Sequence, residues 1–232
     1  MKTAVLISGQ MRSLDLCLPT IQKHVLDKIG DYDIIAHVAE DEDSWKIEVL
    51  EPKRCVVVAQ PELDEKNYLH RTGRGVIGVQ QVLRMFWSME ESNRLRKEAE
   101  AERGAPNDWV IRLRPDTQFF ADIEDLATCD PSALYVPTFC NYWGYQDRFA
   151  FGGPAAMDAY HNKLGLIDDY VAANGIFHPE SMLKWMVDRV GTPVKRTQII
   201  FDTLRKNGQR IRPVWHESYG DLAPSWHKSF AA

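Results

Sequence analysis

Three short apolar runs near the start of the chain constrain its fold more than any other feature of the sequence. Residues 2–8, 32–38 and 54–59 are each built around consecutive apolar side chains, the pattern typical of a parallel strand that is buried on both faces. Between the first two runs, residues 13–29 carry apolar side chains at helical spacing, and Gly30 follows as a stop signal. A strand, a helix and a strand in this order predict a βαβ unit, and therefore a parallel sheet with a right-handed crossover.

The rest of the chain continues to alternate between predicted helices and strands. We predict helices over 76–103, 155–173, 179–190 and 199–206, and strands over 108–114, 133–137, 149–151 and 210–214. The charged residues 90–102 are interpreted as the solvated end of the longest helix. Because no repeat or linker interrupts the pattern, we predict a single α/β domain over residues 1–232. Its arrangement is Rossmann-type, with a mostly parallel central sheet flanked by helices.

The composition is that of an ordinary globular protein, with 44% hydrophobic and 26% charged residues. A formal net charge of -5 argues against a strongly basic nucleic-acid-binding protein, so we expect no nucleic-acid partner. No apolar run approaches the roughly 20 residues of a membrane span. The four cysteines are widely spaced and form no CxxC pair, which favours reduced thiols and a cytoplasmic protein.

Ligands of open α/β sheets bind beyond the carboxyl ends of the parallel strands, and the first strand ends in polar residues. Gly9 permits close approach of the backbone to a ligand, and Ser8 and Gln10 can hydrogen-bond a base or ribose. Arg12 can pair with a phosphate. The segment is neither a GxGxxG motif nor a P-loop, and the alternative interpretation is a polar turn with a surface arginine.

The fourth predicted strand ends in a second set of charged residues. Strand alternation places Arg112 and Arg114 on the same face, where two guanidinium groups are costly unless they meet anions. Asp116 follows, and its carboxylate could hold a divalent cation or a sugar hydroxyl. The alternative is an internal arginine–aspartate ion pair that organises the turn.

A third candidate segment, residues 145–153, combines Asp147 and a glycine pair with nearby aromatic side chains. Aromatic faces beside a carboxylate suit a sugar ring, so we predict that Tyr142, Trp143 and Tyr145 bind substrate. The alternative is a hydrophobic loop with a structural salt bridge.

Four segments, taken in order, resemble polysaccharide glycosyltransferases of the GT-A type from bacteria and viruses. Residues 7–13 resemble the end of the first strand of those enzymes, and residues 108–116 resemble their D-x-V-I-R-x-R-P-D strand, which occupies the place of the DxD motif. Residues 147–152 resemble the D-x-F-x-x-G strand, and residues 179–183 resemble the P-E-x-x-L helix start. Arg114 stands where a DxD motif has its first carboxylate.

This resemblance implies a GT-A-like domain that transfers a sugar from a nucleotide-diphosphate donor to a glycan or lipid-linked acceptor. Residues 1–116 would bind the donor and residues 117–232 the acceptor. Asp147 is the first choice for the base that deprotonates the acceptor hydroxyl, and Glu180 is the second. The positive charge at the diphosphate would come from Mg²⁺ or Mn²⁺ held by Asp116 and His216, or instead, or in addition, from arginines: Arg12, Arg74, Arg112 and Arg114.

Three other functions remain open at the level of sequence. The first is a sugar nucleotidyltransferase, although such enzymes favour a glycine-rich first loop and residues 8–13 contain one glycine. The second is a catalytically silent module that binds a nucleotide or a glycan, since the same aromatic residues would serve binding equally well. The third is an assembly protein that docks a partner on the long charged helix.

Overall fold

The predicted βαβ unit is present at the start of the chain, and it builds one half of a large sheet. The computed structural model describes residues 1–66, 68, 78–174 and 177–211. The unit and the strand that follows it comprise β1 (Lys2–Gly9), α1 (Leu14–His24), β2 (Asp31–Ala39) and β3 (Arg54–Val58). β1 pairs with β2, and β2 with β3, in parallel. The middle of β1 is buried on both faces, which accounts for its continuous apolar run.

Within the described residues, seven strands form the central sheet, in the order β3-β2-β1-β4-β7-β6-β8. The later strands are β4 (Trp109–Leu113), β6 (Leu134–Pro137), β7 (Phe149–Gly152) and β8 (Val194–Thr197). Only β7 runs antiparallel to its neighbours in this sheet. The prediction of an α/β fold with a mostly parallel sheet flanked by helices is therefore confirmed.

The strand order reverses between β1 and β4. The chain moves outward from β1 to β3 and then returns to form β4 on the opposite side of β1. The helices α2 (Val79–Arg103), α3 (Pro154–His161), α4 (Ile167–Asn174) and α5 (Pro179–Val190) follow β3 and β7. The carboxyl ends of β1 and β4 are thus the switch point at which open α/β sheets bind ligands. None of the helices within the described residues is long and apolar enough to cross a membrane.

Two segments differ from their predicted structure. Residues 155–173 form two helices rather than one, because Asn162 is extended after α3 and ends it. Residues 199–206 contain a strand, β9 (Phe201–Leu204), and not a helix. It pairs antiparallel with β5 (Thr117–Phe119) and β10 (Arg210–Ile211) in a small second sheet. An apolar run of this length has no distinctive period, so pairing with β5 decides its structure.

The charged end of α2 is solvated only in part, since Arg94, Lys97 and Glu102 are exposed but Arg96 is buried. Arg96 is only 1% exposed, and its guanidinium pairs with Glu100 and with Asp158 of α3, each at 2.7 Å. α3 packs against this part of α2, so an ion pair lies where the sequence predicts solvent. A buried arginine needs such partners because its charge is otherwise costly to desolvate.

The start of α5 is held by a close backbone contact with the loop before β7. The backbone N–H of Tyr145 donates to the carbonyl of Glu180 at 3.0 Å. A Cβ atom on the neighbouring Gly144 would lie 1.7 Å from the same carbonyl oxygen. Only glycine therefore fits at this position, and the contact fixes the position of Glu180 in the first turn of α5.

We expect Gly144→Ala to lower the free energy of unfolding by about 1–3 kcal/mol, because the methyl group must displace backbone rather than a flexible side chain. Chemical denaturation monitored by circular dichroism measures this change. Gly165→Ala is the matched control, since a Cβ there meets no atom within 4 Å. Equal stabilities of the two variants would contradict the close packing of the loop against α5.

Candidate functional site

A cavity of about 460 Å³ opens at the switch point between β1 and β4. Besides these strand ends, α2, the segment before β7, the start of α5 and the end of β9 contribute to its wall. Six arginines and three acidic residues line it: Arg12, Arg84, Arg112, Arg114, Arg148 and Arg205, with Asp116, Asp147 and Glu180. With every group ionised, the described lining carries an excess of three positive charges, so the cavity favours an anionic ligand.

The residues predicted at the end of β1 line this cavity. Gly9 has φ +103, in the range that favours glycine. Ser8 is 4% exposed, and its hydroxyl has no hydrogen-bond partner among the described residues. Arg12 bonds to the Gln10 side-chain oxygen through Nε at 3.0 Å. The carboxyl end of β1 and the residues after it therefore present hydroxyl, amide and guanidinium groups to the cavity.

Arg112 is a buried cation with almost no protein partner. The residue is 1% exposed. Among the described residues its guanidinium makes one hydrogen bond, from Nη1 to the Leu113 carbonyl at a long 3.4 Å. Its Nε has no partner among the described residues. Burial lowers the pKa of Arg112 to about 10, and Arg114 adds to this effect, yet the group stays charged at neutral pH. Burial of a charge with so few partners costs free energy, and an anion bound in the cavity would offset that cost.

Arg114 is paired far more fully, and it forms the ion pair that the sequence left as an alternative. Its Nε and Nη2 donate to the two carboxylate oxygens of Asp116 at 2.9 and 2.7 Å. Its Nη1 donates to Asp147 at 3.2 Å. Burial alone would raise the pKa values of Asp116 and Asp147. Arg114 and the neighbouring arginines together outweigh burial and keep both pKa values below their ordinary range.

Within the described part of the chain, Glu180 is the carboxyl group of the cavity that accepts no hydrogen bond from an arginine. It is 6% exposed, and its Oε2 accepts no hydrogen bond; Nε2 of His178 is 3.5 Å away. Burial, together with the negative charge of Asp147, raises the pKa of Glu180 to about 8. A carboxyl group poised near neutral pH in a cavity has the properties of a general acid or base.

The three predicted aromatic residues lie beside the start of α5 and not in the lining of the cavity. Tyr145 is buried, and its hydroxyl donates to Asp188 at 3.1 Å. Trp143 is 66% exposed, with its ring against that of His178. Tyr142 is half-buried and has φ +37. Arg74 and His216, predicted for donor and metal binding, lie outside the described residues.

Several lining residues were missed in the sequence. Gln60 follows β3 closely, so the rule that favours carboxyl ends of strands could have identified it. Gln81 and Arg84 are three residues apart on α2, a spacing that places both on one helix face. Arg205 had no such signal, because its segment was predicted to be helical.

The residues present do not fit the divalent cation that the resemblance implies. Both oxygens of Asp116 already accept hydrogen bonds from Arg114. The residues described in the structure contain no group of three histidine, cysteine, aspartate or glutamate side chains able to hold a metal ion. A cation at Asp116 would have to displace a guanidinium that is held in place by two carboxylates.

Comparison with protein families identifies a match that spans most of the chain. A family model described as a domain of unknown function (DUF7796) matches residues 1–208, a range that includes β1 to β9 and all the lining residues named above. No curated protein matches the chain. The chain belongs to the DUF7796 family.

Proposed function

We propose that this protein is a glycosyltransferase that moves a sugar from a nucleoside-diphosphate donor to a hydroxyl group of a glycan or lipid-linked acceptor. The observation that carries the proposal is Arg112, a buried and almost unpartnered guanidinium that lines a cavity at the switch point of the sheet. A diphosphate supplies the negative charge that this group lacks. The four motifs that resemble GT-A enzymes support the same donor class.

The polar lining divides in a way that suits such a donor. Ser8, Gln10 and Gln60 offer uncharged hydrogen-bonding groups near the ends of β1 and β3, where a base and ribose would bind. Arg112 and Arg114 lie at the end of β4, where the diphosphate would bind. The sugar would then extend toward the carboxyl groups contributed by the segment before β7 and by α5.

Glu180 is the better candidate for the base, which reverses the order expected from the sequence. In the proposed reaction the acceptor oxygen forms a bond to the anomeric carbon. The bond from that carbon to the diphosphate oxygen breaks, and its electron pair leaves with the diphosphate. The acceptor proton passes to Glu180. Asp147 has a lowered pKa and is bonded to Arg114, so its carboxylate is the weaker proton acceptor.

We expect nucleoside diphosphates to raise the melting temperature of the protein, since a ligand that binds only the folded state adds about 2.7 kcal/mol of stability at a hundredfold excess over its Kd. A thermal-shift series with ADP, CDP, GDP and UDP, alone and with their sugars, measures this. Absence of a shift with every compound would contradict the donor site. A shift without sugar transfer or hydrolysis would favour the silent binding module.

We expect Arg112→Met to weaken binding of the active nucleoside diphosphate roughly 10- to 100-fold, the loss of one charged hydrogen-bonding group. The melting temperature without ligand should not fall, because the variant also removes a buried charge whose hydrogen bond to the Leu113 carbonyl is long. Arg94→Met is the matched control, as Arg94 is exposed on α2 and pairs with Glu91 and Glu98. Unchanged affinity in Arg112→Met would overturn the assigned role.

We expect transfer to increase as the pH rises through about 8, because Glu180 accepts a proton only in its ionised form. Glu180→Gln should lower kcat by roughly 10²- to 10⁴-fold, remove this rise and leave donor affinity within a few-fold of the wild type. The measurement is a pH–rate profile alongside donor binding. Glu102→Gln is the control, since Glu102 is exposed and pairs with Arg54 away from the cavity. A rise that persists in Glu180→Gln would exclude Glu180 as the base.

A further inference from the structure

Arg114 occupies the space between two carboxylates that line the cavity. Its guanidinium bonds Asp116 through Nε and Nη2 and Asp147 through Nη1, at distances of 2.9, 2.7 and 3.2 Å. The side chains of Asp116 and Asp147 are only 3% and 8% exposed. The cation that bridges these two buried carboxylates is therefore part of the protein itself.

A divalent cation at the same place would face both a steric and an electrostatic obstacle. Mg²⁺ and Mn²⁺ prefer carboxylate oxygens, and the oxygens of Asp116 are already engaged by a bidentate guanidinium. Arg12, Arg112 and Arg148 line the same cavity, and their charges repel a further cation.

The fixed arginines can supply what a metal ion supplies to a departing diphosphate. A guanidinium is always charged at neutral pH and carries five N–H donors. The three bonds from Arg114 to Asp116 and Asp147 leave two of these donors for phosphate oxygens. Arg114 is held in position by its two carboxylates, so it needs no reorganisation when negative charge develops on the leaving group. Arg112 lines the cavity beside it with its hydrogen-bonding capacity largely unused.

We infer that Arg114 replaces the divalent cation, and that this site binds a diphosphate through Arg112 and Arg114 without Mg²⁺ or Mn²⁺. The inference rests on the proposed donor site and specifies how that site neutralises charge. The sequence left two sources of positive charge open, a divalent cation and the arginines, and the inference selects the arginines.

The test is calorimetric binding of the nucleoside diphosphates ADP, CDP, GDP and UDP to the wild-type protein, in EDTA and in Mn²⁺. We expect the nucleotide that binds to have a Kd in EDTA within about threefold of its Kd in Mn²⁺. Binding that requires Mn²⁺ would overturn the inference and leave the proposed function intact. Absence of binding under both conditions would instead overturn the proposed function, and the inference with it.

Exchange of the guanidinium gives an independent test. Arg114→Gln removes the fixed charge and frees Asp116 and Asp147, so we expect its affinity in EDTA to fall at least tenfold and Mn²⁺ to restore part of it. Arg114→Lys keeps the charge without the bidentate fork, so it should retain metal-free binding with a loss of a few-fold. This second variant serves if Arg114→Gln does not fold. The inference would be refuted if Arg114→Gln bound the nucleotide in EDTA as tightly as the wild type does. It would also be refuted if Arg114→Lys required Mn²⁺ for binding.

Discussion

The ion pair of Arg114 with Asp116 and Asp147 joins segments that are far apart in sequence, and the geometry of the cavity depends on it. It connects the end of β4 with the turn into β5 and with the segment that enters β7. Backbone hydrogen bonds extend the same connection, since Arg114 donates to the Arg148 carbonyl at 3.0 Å and Leu204 donates to that of Asp116 at 2.8 Å. The small second sheet is thereby attached to the carboxyl edge of the large one.

This arrangement leaves the cavity with more positive charge than its own carboxylates balance. Asp116 and Asp147 neutralise much of the charge of Arg114, whereas Arg112 is left with a single weak bond to a carbonyl. Burial of such a group costs stability, and the cost is offset only when an anion binds. The two carboxyl groups differ because of their neighbours. The arginines, Arg114 first among them, lower the pKa of Asp147, whereas burial and the negative charge of Asp147 raise that of Glu180.

The helices hold these groups at fixed positions from outside the sheet. Gln81 and Arg84, in the first half of α2, line the cavity. Arg96, in the second half, forms an ion pair with Asp158 of α3. α5 brings Glu180 to the cavity in its first turn, where the contact with Gly144 sets its position. The site is therefore carried by regular elements as well as by loops, which favours a preorganised geometry.

The sequence by itself determined the elements whose cause is local. Apolar runs identified β1 to β4, helical spacing identified α2 and α5, and the carboxyl-end rule selected Ser8, Gln10, Arg112 and Asp116, all of which line the cavity. Tertiary structure alone decided that residues 201–204 form a strand, that Arg96 is buried, and that Glu180 rather than Asp147 has a raised pKa. Strand pairing, burial and charge pairing all depend on contacts between residues that are distant along the chain. A local sequence pattern does not specify which distant residues come into contact.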